Sequence, residues 1–457
     1  MSIRCPGHKC RDLQARANRS RGAVYLFHRM ACEPVGPEVL ARIRVRDVVL
    51  FRTMRVLFQA LTGRRLNGDR RMLNTLAIGN YRSLLKLTVP LGSLNLITGP
   101  NGSGKSNLYR ALRLLAETAQ SGVVNALARE GGLQSTVWAG PETITRGMQT
   151  GAAPIQGGPR KNAVRLRLGF AGDDFGYAIS LGLPKPSRSN FDLDPEIKNE
   201  CIWAGPFHRP ASALVERNGA TIKVRSGKQW EVVGTNFNEF DSMFGQVADP
   251  NIMPVVFRLR ETIRGWRFYD QFRTDRDAPA REPQLGTRTP VLHHDGRDLA
   301  AAIETIREIG NGPALDGAIG DAFPGASLGI GVAEDSRFTL AFRQHGLLRP
   351  LSGAELSDGT LRYLLWVAAL LTPRPPSLMV LNEPENSLHP DLLPALARLI
   401  IQASARSQMW VVSHSNTLIS ELTLHPSCQL IPLQKELGQT RIVGQSLLDE
   451  PAWHWPD

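Results

Sequence analysis

Residues 99–106 read Gly99-Pro100-Asn101-Gly102-Ser103-Gly104-Lys105-Ser106 and match G-x-x-x-x-G-K-[ST] at every fixed position. The apolar run Leu94–Thr98 ahead of them predicts a buried strand, and the apolar periodicity after Ser106 predicts a helix. Backbone N–H groups must converge on phosphate oxygens in such a loop, and glycines are needed because Cβ atoms would obstruct them. The helix N-terminus adds partial positive charge. The stretch therefore predicts a loop that wraps the phosphates of a nucleotide.

Two side chains of this loop have predicted roles of their own. Lys105 reaches the β- and γ-phosphates, and the Ser106 hydroxyl is a ligand for Mg²⁺. We therefore predict ATP and Mg²⁺ as the bound species. The predicted ATP-binding residues in the loop are Gly99, Pro100, Asn101, Gly102, Ser103, Gly104, Lys105, Ser106 and Asn107.

A second apolar strand, Leu378–Leu381, ends in Asn382-Glu383-Pro384. In the usual acidic strand of such enzymes, an Asp holds the Mg²⁺ hydration shell and the next Glu polarises the attacking water. Glu383 fits the second role, whereas the neutral Asn382 stands in the place of the Asp and reaches the metal only through a water. Two interpretations follow, a working ATPase with a relaxed metal shell or a slow or inactive nucleotide switch.

Two further motifs carry candidate site residues. The apolar strand Met409–Ser413 is followed by His414, a predicted γ-phosphate sensor, because parallel sheets place ligands at the carboxyl ends of strands. Leu356-Ser357-Asp358-Gly359-Thr360 precedes a predicted helix, and donors at a helix N-terminus suit an anion. Alone, this second pattern is also typical of a simple helix N-cap.

The order of the four motifs resembles that of bacterial predicted ATPases with an AAA/ABC-type domain, relatives of RecF and SMC proteins. The resemblance covers roughly 72–145 and 340–435. It implies a P-loop α/β fold with a mostly parallel sheet flanked by helices and an antiparallel β-rich insertion. It also implies that two copies of the chain sandwich ATP as a homodimer, and that hydrolysis drives a conformational switch.

The resemblance assigns further residues to this sandwich. Ser357, Asp358 and Gly359 of one subunit would face the γ-phosphate held by the other, with 387–389 at the seam. Arg82 and Ser83 match a motif that lies near the nucleotide in SMC relatives. Gln134 is a candidate for the glutamine that contacts the metal.

The spacing of the motifs divides the chain. Roughly 250 residues separate Lys105 from Ser357, which is far more than transporter ATPases use, and the absence of sustained heptads favours a compact lobe over a coiled coil. We predict an extension at 1–71, the two ATPase halves at 72–145 and 341–457, and an inserted lobe at 146–340. Within the lobe, alternating apolar residues predict antiparallel strands, and Asn218-Gly219 predicts a hairpin.

The extension carries almost all of the net charge of +12, because residues 1–71 hold 16 Lys and Arg against 5 Asp and Glu. It is either poorly ordered or not native, since the first well-patterned strand follows Met72. A zinc site is one reading of its Cys and His residues, and reduced thiols are the other. The remaining body is nearly neutral, so charge gives little support for binding DNA.

The sequence predicts a cytoplasmic protein without a membrane span, because no run of about 18 apolar residues occurs. Family analogy suggests nucleic acid or an effector protein as a partner, in DNA repair or phage defence. Two alternatives stay open. One is a non-hydrolysing nucleotide-binding regulator, motivated by Asn382, and the other is a transporter energy subunit.

Overall fold

The computed structural model describes residues 73–120, 122–157, 163–185, 190–247, 253–270, 272–446 and 449–456. The predictions made for the extension 1–71 and for Met72 lie outside these residues. The described residues all belong to one compact unit.

A six-stranded, mostly parallel sheet forms the centre of this unit, in the strand order β10-β14-β15-β3-β16-β17. The first five strands run parallel, and β17 closes the edge antiparallel to β16. Parallel sheets are covered on both faces, so their strands are continuous apolar runs, and this is why the central strands are almost entirely buried. The strands are β3 (Leu94–Thr98), β10 (Arg267–Tyr269), β14 (Leu378–Asn382), β15 (Gln408–Val412), β16 (Cys428–Glu436) and β17 (Gln439–Ile442).

An eight-stranded antiparallel sheet lies in the order β2-β1-β4-β5-β6-β7-β8-β9. It joins two strands from before the phosphate loop to six from the predicted inserted lobe. The hairpin predicted at Asn218-Gly219 is confirmed, because Gly219 has a φ of 53° between β7 and β8. The strands are β1 (Leu73–Tyr81), β2 (Leu84–Pro90), β4 (Arg165–Gly172), β5 (Phe175–Gly182), β6 (Glu196–Ala204), β7 (Ala213–Asn218), β8 (Thr221–Ser226) and β9 (Gln229–Gly234).

A small third sheet has the order β11-β13-β12 and is formed by β11 (Gln284–Leu285), β12 (Ser327–Val332) and β13 (Arg337–Arg343). The described helices are α1 (Lys105–Glu117), α2 (Val123–Arg129), α3 (Gly132–Thr136), α4 (Arg146–Gln149), α5 (Met243–Gln246), α6 (Pro254–Arg264), α7 (Leu299–Ile309), α8 (Gly312–Ala322), α9 (Asp358–Leu370), α10 (Leu393–Ser404) and α11 (Asn416–Thr423). Among the described residues, none of these helices combines the length and apolar character that a membrane crossing requires.

The parallel sheet separates two hydrophobic cores. Alternate side chains of its strands point to opposite faces, so Ile97 and Val412 join the core formed with α1, α6 and the antiparallel sheet. Leu96 and Val411 join the core formed with helices α7 to α11. The predicted fold, a P-loop α/β sheet flanked by helices with an antiparallel β-rich insertion, is confirmed.

The segment 121–160 differs from its sequence-based expectation. Its Gly, Ser, Thr and Pro content predicts loops, whereas α2, α3 and α4 lie within it. These helices have only four to seven residues, too few for intrinsic propensity to stabilise them, and tertiary packing holds α2 and α3. Leu127 of α2 and Leu133 of α3 are buried in the core beside α1.

Candidate nucleotide-binding site

The glycine-rich loop connects β3 to α1, at the carboxyl edge of the parallel sheet. Gly99, Gly102 and Gly104 have φ angles of 144°, 78° and 106°, which L side chains rarely adopt. A Cβ at Gly104 would lie 2.1 Å from Thr440 Oγ1, and one at Gly99 would lie 2.3 Å from the Leu433 carbonyl oxygen. Both neighbours belong to the last two strands, so the loop requires glycine for its packing as well as for its backbone.

Three side chains of the loop region have different environments. The Lys105 side chain folds back over the loop, and its Nζ donates to the carbonyl oxygens of Gly99 (2.6 Å) and Pro100 (3.1 Å). Ser106 is exposed at the start of α1. Ser103 Oγ is buried and makes no hydrogen bond within the described protein. The loop region therefore holds a buried ammonium group bonded to its own main chain, the buried Ser103 hydroxyl and the exposed Ser106 hydroxyl.

A chain of hydrogen bonds connects the loop to Ser83 and to Thr440 of β17. Asn107 Nδ2 donates to Ser83 Oγ (2.8 Å), and Ser83 Oγ lies 2.7 Å from Thr440 Oγ1. Thr440 Oγ1 in turn donates to the Ser103 carbonyl oxygen (2.8 Å). Ser83, predicted to lie near the nucleotide, is thus buried and joined to the loop through Asn107 and Thr440.

Arg82, the other residue of that motif, has a left-handed backbone with a φ of 47°. Its Nη2 lies 2.8 Å from Glu130 Oε2, and the Tyr81 hydroxyl donates to the same oxygen at 2.6 Å. Burial alone would lower the pKa of Arg82, but the hydrogen bonds to Glu130 and Tyr81 outweigh it and raise that pKa. Arg82 therefore stays positively charged, and its hydrogen bonds to Glu130 fix the orientation of its guanidinium group.

The acidic strand β14 ends beside the histidine strand β15. Asn382 pairs with Val412 in the sheet, and the Glu383 backbone N–H donates to the Val412 carbonyl oxygen (2.8 Å). Glu383 has a φ of 50°, and Asn386 Nδ2 donates to its Oε2 (2.8 Å). Non-glycine residues rarely adopt this conformation, and such strain clusters at functional sites. The Glu383 carboxylate is 35% exposed and held in a fixed direction.

His414 follows β15 at the same edge. Its Nδ1 lies 3.9 Å from Glu383 Oε1 and 3.5 Å from Glu385 Oε1. The two candidate catalytic residues predicted from separate parts of the sequence are therefore neighbours.

Glu385 is a residue that the sequence analysis missed. Its side chain is 6% exposed, and Oε1 accepts from Ser413 Oγ (2.7 Å) and from the backbone N–H groups of His414 (2.9 Å) and Ser415 (3.2 Å). The carboxylate thus holds the turn that presents His414. The sequence feature that could have pointed to Glu385 is its place as a second acidic residue two positions after Glu383.

The motif Ser357-Asp358-Gly359 opens α9 as predicted. Ser357 is the N-cap, and its Oγ accepts from the Thr360 backbone N–H (3.2 Å). Asp358 is 63% exposed and pairs with Arg281. A Cβ at Gly359 would lie 3.3 Å from the Ser387 carbonyl oxygen, and Ser387 itself is exposed with a φ of 59°. The motif and the loop after β14 are therefore in contact.

The glutamine prediction has no contact to support it. Gln134 is exposed on α3, the short helix beside Arg82, and its role stays a prediction. A different segment lies at the carboxyl edge of the parallel sheet. β10 is parallel to β14, and Asp270 follows the carboxyl end of β10, where Asp270 pairs with Arg113 of α1. The next residue, Gln271, lies outside the described residues. The rule that ligands lie beyond the carboxyl ends of parallel strands would have found this segment.

The residues of the loop fit a triphosphate and its metal. The glycines leave room for phosphate oxygens near the main chain, and a Cβ at Gly102 would meet no atom within 4 Å. Ser103 supplies a buried hydroxyl without a partner. Lys105 supplies the positive charge, Ser106 a free hydroxyl for a hard cation, and Asn382 an amide oxygen at the adjoining strand end.

A family model described as "AAA domain, putative AbiEii toxin, Type IV TA system" matches residues 94–420. Among curated protein sequences, none matches the chain.

Solved structures of SMC heads are similar to it at low sequence identity. An SmcHead bound to the C-winged helix domain of ScpA has a TM-score of 0.45 and 13% identity, covering 82% of this chain and 98% of that one. The SMC head domain from Thermotoga maritima has a TM-score of 0.39 and 15% identity, covering 82% and 99%. A third, an Smc head with an extended coiled coil bound to the C-terminal domain of ScpA derived from Pyrococcus furiosus, has a TM-score of 0.42 and 13% identity, covering 82% and 96%.

Proposed function

The chain belongs to this family of AAA domains, and from that premise we propose that it is a Mg²⁺-dependent ATPase that hydrolyses ATP between two copies of itself. The match spans most of the chain, which confirms the predicted bacterial P-loop ATPase of the RecF/SMC/ABC kind. Nucleotide binding is the shared property of that group. Hydrolysis, the dimer and the individual residue roles are proposals.

One observation carries the proposal of hydrolysis, namely the arrangement of three neighbouring strand ends. β3 ends in the phosphate loop with Lys105, β15 ends at His414, and β14 ends at Glu383. Lys105 neutralises charge on the phosphates, and Glu383 takes a proton from the attacking water as general base. His414, beside Glu383, donates to the γ-phosphate.

The metal-holding residues of the proposed site are Ser106, through its hydroxyl, and Asn382, through a water. Mg²⁺ in such a site neutralises charge that builds up on the phosphate oxygens. Because Asn382 carries no charge, the metal depends more on Ser106 and the phosphates than it does where an Asp stands here. We therefore expect a high Mg²⁺ requirement.

Residues 356–360, called the signature from here on, support a nucleotide sandwich. Ser357 and Gly359 stand at an exposed helix N-terminus, where main-chain donors and the helix dipole favour an anion. Gly359 also approaches the exposed Ser387 in the loop after β14, and this supports a surface that the two segments share. In the proposed homodimer, this surface of one subunit covers the ATP held by the other.

A second candidate function is a regulator that binds nucleotide without turning it over. Asn382 favours it, because an amide holds a metal hydration shell less firmly than a carboxylate does. The oriented Glu383 favours hydrolysis, because its positive φ is uncommon for a non-glycine residue and such conformations cluster at functional sites. The long inserted lobe disfavours the third candidate, a transporter subunit.

The process served by the ATPase is proposed from analogy only. The family description names a toxin of a type IV toxin–antitoxin system, and RecF and SMC relatives suggest nucleic acid or an effector protein as partner. A pull-down of the native protein with and without Glu383→Gln would trap what the ATP-bound form holds.

Phosphate release at saturating Mg-ATP tests the proposed activity. We expect Lys105→Ala to abolish ATP binding in calorimetry, and Glu383→Gln to retain binding while turnover falls about 10²- to 10⁴-fold, since it removes the general base. The exposed Lys223→Ala and Glu334→Gln are matched controls far along the chain from these motifs and should behave as wild type. Turnover that is absent from the wild-type protein, or unchanged in Glu383→Gln, would favour the regulator.

A further inference from the structure

Arg281 donates hydrogen bonds to main-chain oxygens of the turn at 353–356, which leads into the signature and is called the signature turn here. Its side chain is only 7% exposed. Nη1 donates to the carbonyl oxygens of Gly353 (3.0 Å) and Leu356 (2.7 Å). Nε and Nη2 donate to the carbonyl oxygens of Thr274 and Asp275, at distances of 2.8–3.1 Å. One guanidinium therefore ties the signature turn to the segment that follows β10.

Close packing of the backbone adds to this tie. A Cβ at Gly353 would lie 3.0 Å from the Arg281 carbonyl oxygen, so the two segments pack too closely there for a larger residue to fit without a shift. A second buried arginine, Arg362 of α9, donates to the Phe272 carbonyl oxygen (2.9 Å) and to the Asn386 carbonyl oxygen (3.0 Å). The signature, the segment after β10 and the loop after β14 are thus fastened together.

Arg281 also pairs with the one acidic residue of the signature. Its Nη2 lies 2.6 Å from Asp358 Oδ1, and Asp358 is 63% exposed in the first turn of α9. A carboxylate at a helix N-terminus is stable in the free subunit, but it repels an approaching phosphate. The fixed guanidinium charge cancels that repulsion and leaves the donors of Ser357 and Gly359 to act on the anion.

We propose that Arg281 is a positioning residue for the half of the ATP site that acts in trans: it fixes the signature turn and neutralises Asp358, so that the turn can receive the γ-phosphate held by a second copy. This inference rests on the proposed sandwich dimer. It assigns to a residue of the inserted lobe a role in the partner's nucleotide site, with no part in ATP binding by its own subunit.

Arg281→Gln is the first test, with Arg288→Gln as the control because Arg288 is an exposed arginine paired with Glu308. We expect Arg281→Gln to lower turnover by at least about 10-fold while ATP affinity in calorimetry changes by less than about 2-fold. A purely structural arginine would instead lower turnover and affinity together. Arg281→Lys, which keeps the charge with fewer donors, replaces the glutamine variant if that variant does not fold.

Mixing variants decides where Arg281 acts. When inactive Lys105→Ala and Arg281→Gln subunits pair at random, half of the dimers are mixed, and each holds one composite site with neither change. We expect the mixture to recover about a quarter of the wild-type turnover, in a two-fold symmetric dimer with independent sites. A parallel mixture combines Lys105→Ala with Ser357→Arg, a change that blocks the signature itself. Its turnover gives the recovery expected for a residue that acts in trans.

The outcomes separate the two proposals. If the Ser357→Arg mixture recovers and the Arg281→Gln mixture does not, the sandwich stands and the trans role of Arg281 is wrong. If neither mixture recovers, the sandwich dimer is overturned and this inference falls with it. Equal recovery in both mixtures supports Arg281 as a positioning residue of the signature.

Discussion

At the scale of single residues, Glu385 connects the acidic strand to the histidine turn. Three donors converge on its Oε1, two of them backbone N–H groups of the turn at 413–415, while Oε2 is buried and has no partner among the described residues. Hydrogen bonds to a charged acceptor are stronger than neutral ones, and a buried donor that loses its acceptor keeps its desolvation cost. Glu385 thus fixes the backbone that carries His414.

Replacing Glu385 by alanine should therefore damage both stability and turnover. We expect the free energy of unfolding to fall by about 2–4 kcal/mol, because the donors of the turn are left buried and unsatisfied. Ser413→Ala removes one of the three bonds and should cost about 1 kcal/mol. Urea unfolding of the two variants measures the difference. Equal, small losses would show that Glu385 does not hold the turn.

The positions of Lys105, Ser106, Glu383 and His414 beyond the ends of buried strands could be predicted from the sequence, because each stands at a fixed offset from an apolar run. Glu385 and Arg281 could not be found in the same way. The donors that bond Glu385 lie 28 to 30 residues away along the chain, and Arg281 reaches the carbonyl oxygens of Gly353 and Leu356, which lie 72 and 75 residues away. No local pattern encodes such partners, and only the folded chain brings them together.

At the scale of elements, the phosphate loop is built against β17. Gly104 faces Thr440, whose Oγ1 would lie 2.1 Å from a Cβ, whereas a Cβ at Gly102 would meet nothing within 4 Å. Both glycines have positive φ, so a substitution strains the backbone at either position, and only Gly104 adds a collision with a neighbouring strand.

This pair of glycines gives a matched test of loop packing. Gly102→Ala should lower the free energy of unfolding by about 1–2 kcal/mol through its positive φ alone. Gly104→Ala adds a collision with Thr440 and should cost about 1–3 kcal/mol more. The comparison is made by urea unfolding without nucleotide, so that lost ligand contacts do not enter. Similar losses in both variants would mean that β17 does not constrain the loop.

Elements with a long apolar signal were predictable, and those held by distant contacts were not. β3, β14 and β15 are continuous apolar runs, so their existence follows from the sequence. β16 alternates buried and exposed residues weakly and contains Pro432, and β17 has only four residues. Their place beside β3 depends on pairing across the whole chain, which local composition does not show.

At the scale of the whole molecule, the two halves of the ATPase are interleaved. β3, from the first half, has β15 on one side and β16 on the other, and both neighbours come from the last fifty residues of the chain. No strand of the first half pairs with β3 among the described residues. The two strands that pair with β3, which leads into the phosphate loop, are therefore in the part of the chain that is synthesised last.

This interleaving predicts that residues 72–346, expressed alone, bind no ATP and unfold without a cooperative transition, although they contain the complete phosphate loop. The isolated β3 would expose apolar side chains and leave its backbone groups unpaired, so neither the strand nor the helix N-terminus after it would be fixed. Co-expression with residues 347–457 should restore both properties, because the break falls in an exposed turn at Leu347 and Leu348. Calorimetry and thermal unfolding of the two preparations measure this, with intact Lys105→Ala as the folded control that does not bind. Full ATP affinity in the fragment 72–346 would contradict the sheet order on which the site depends.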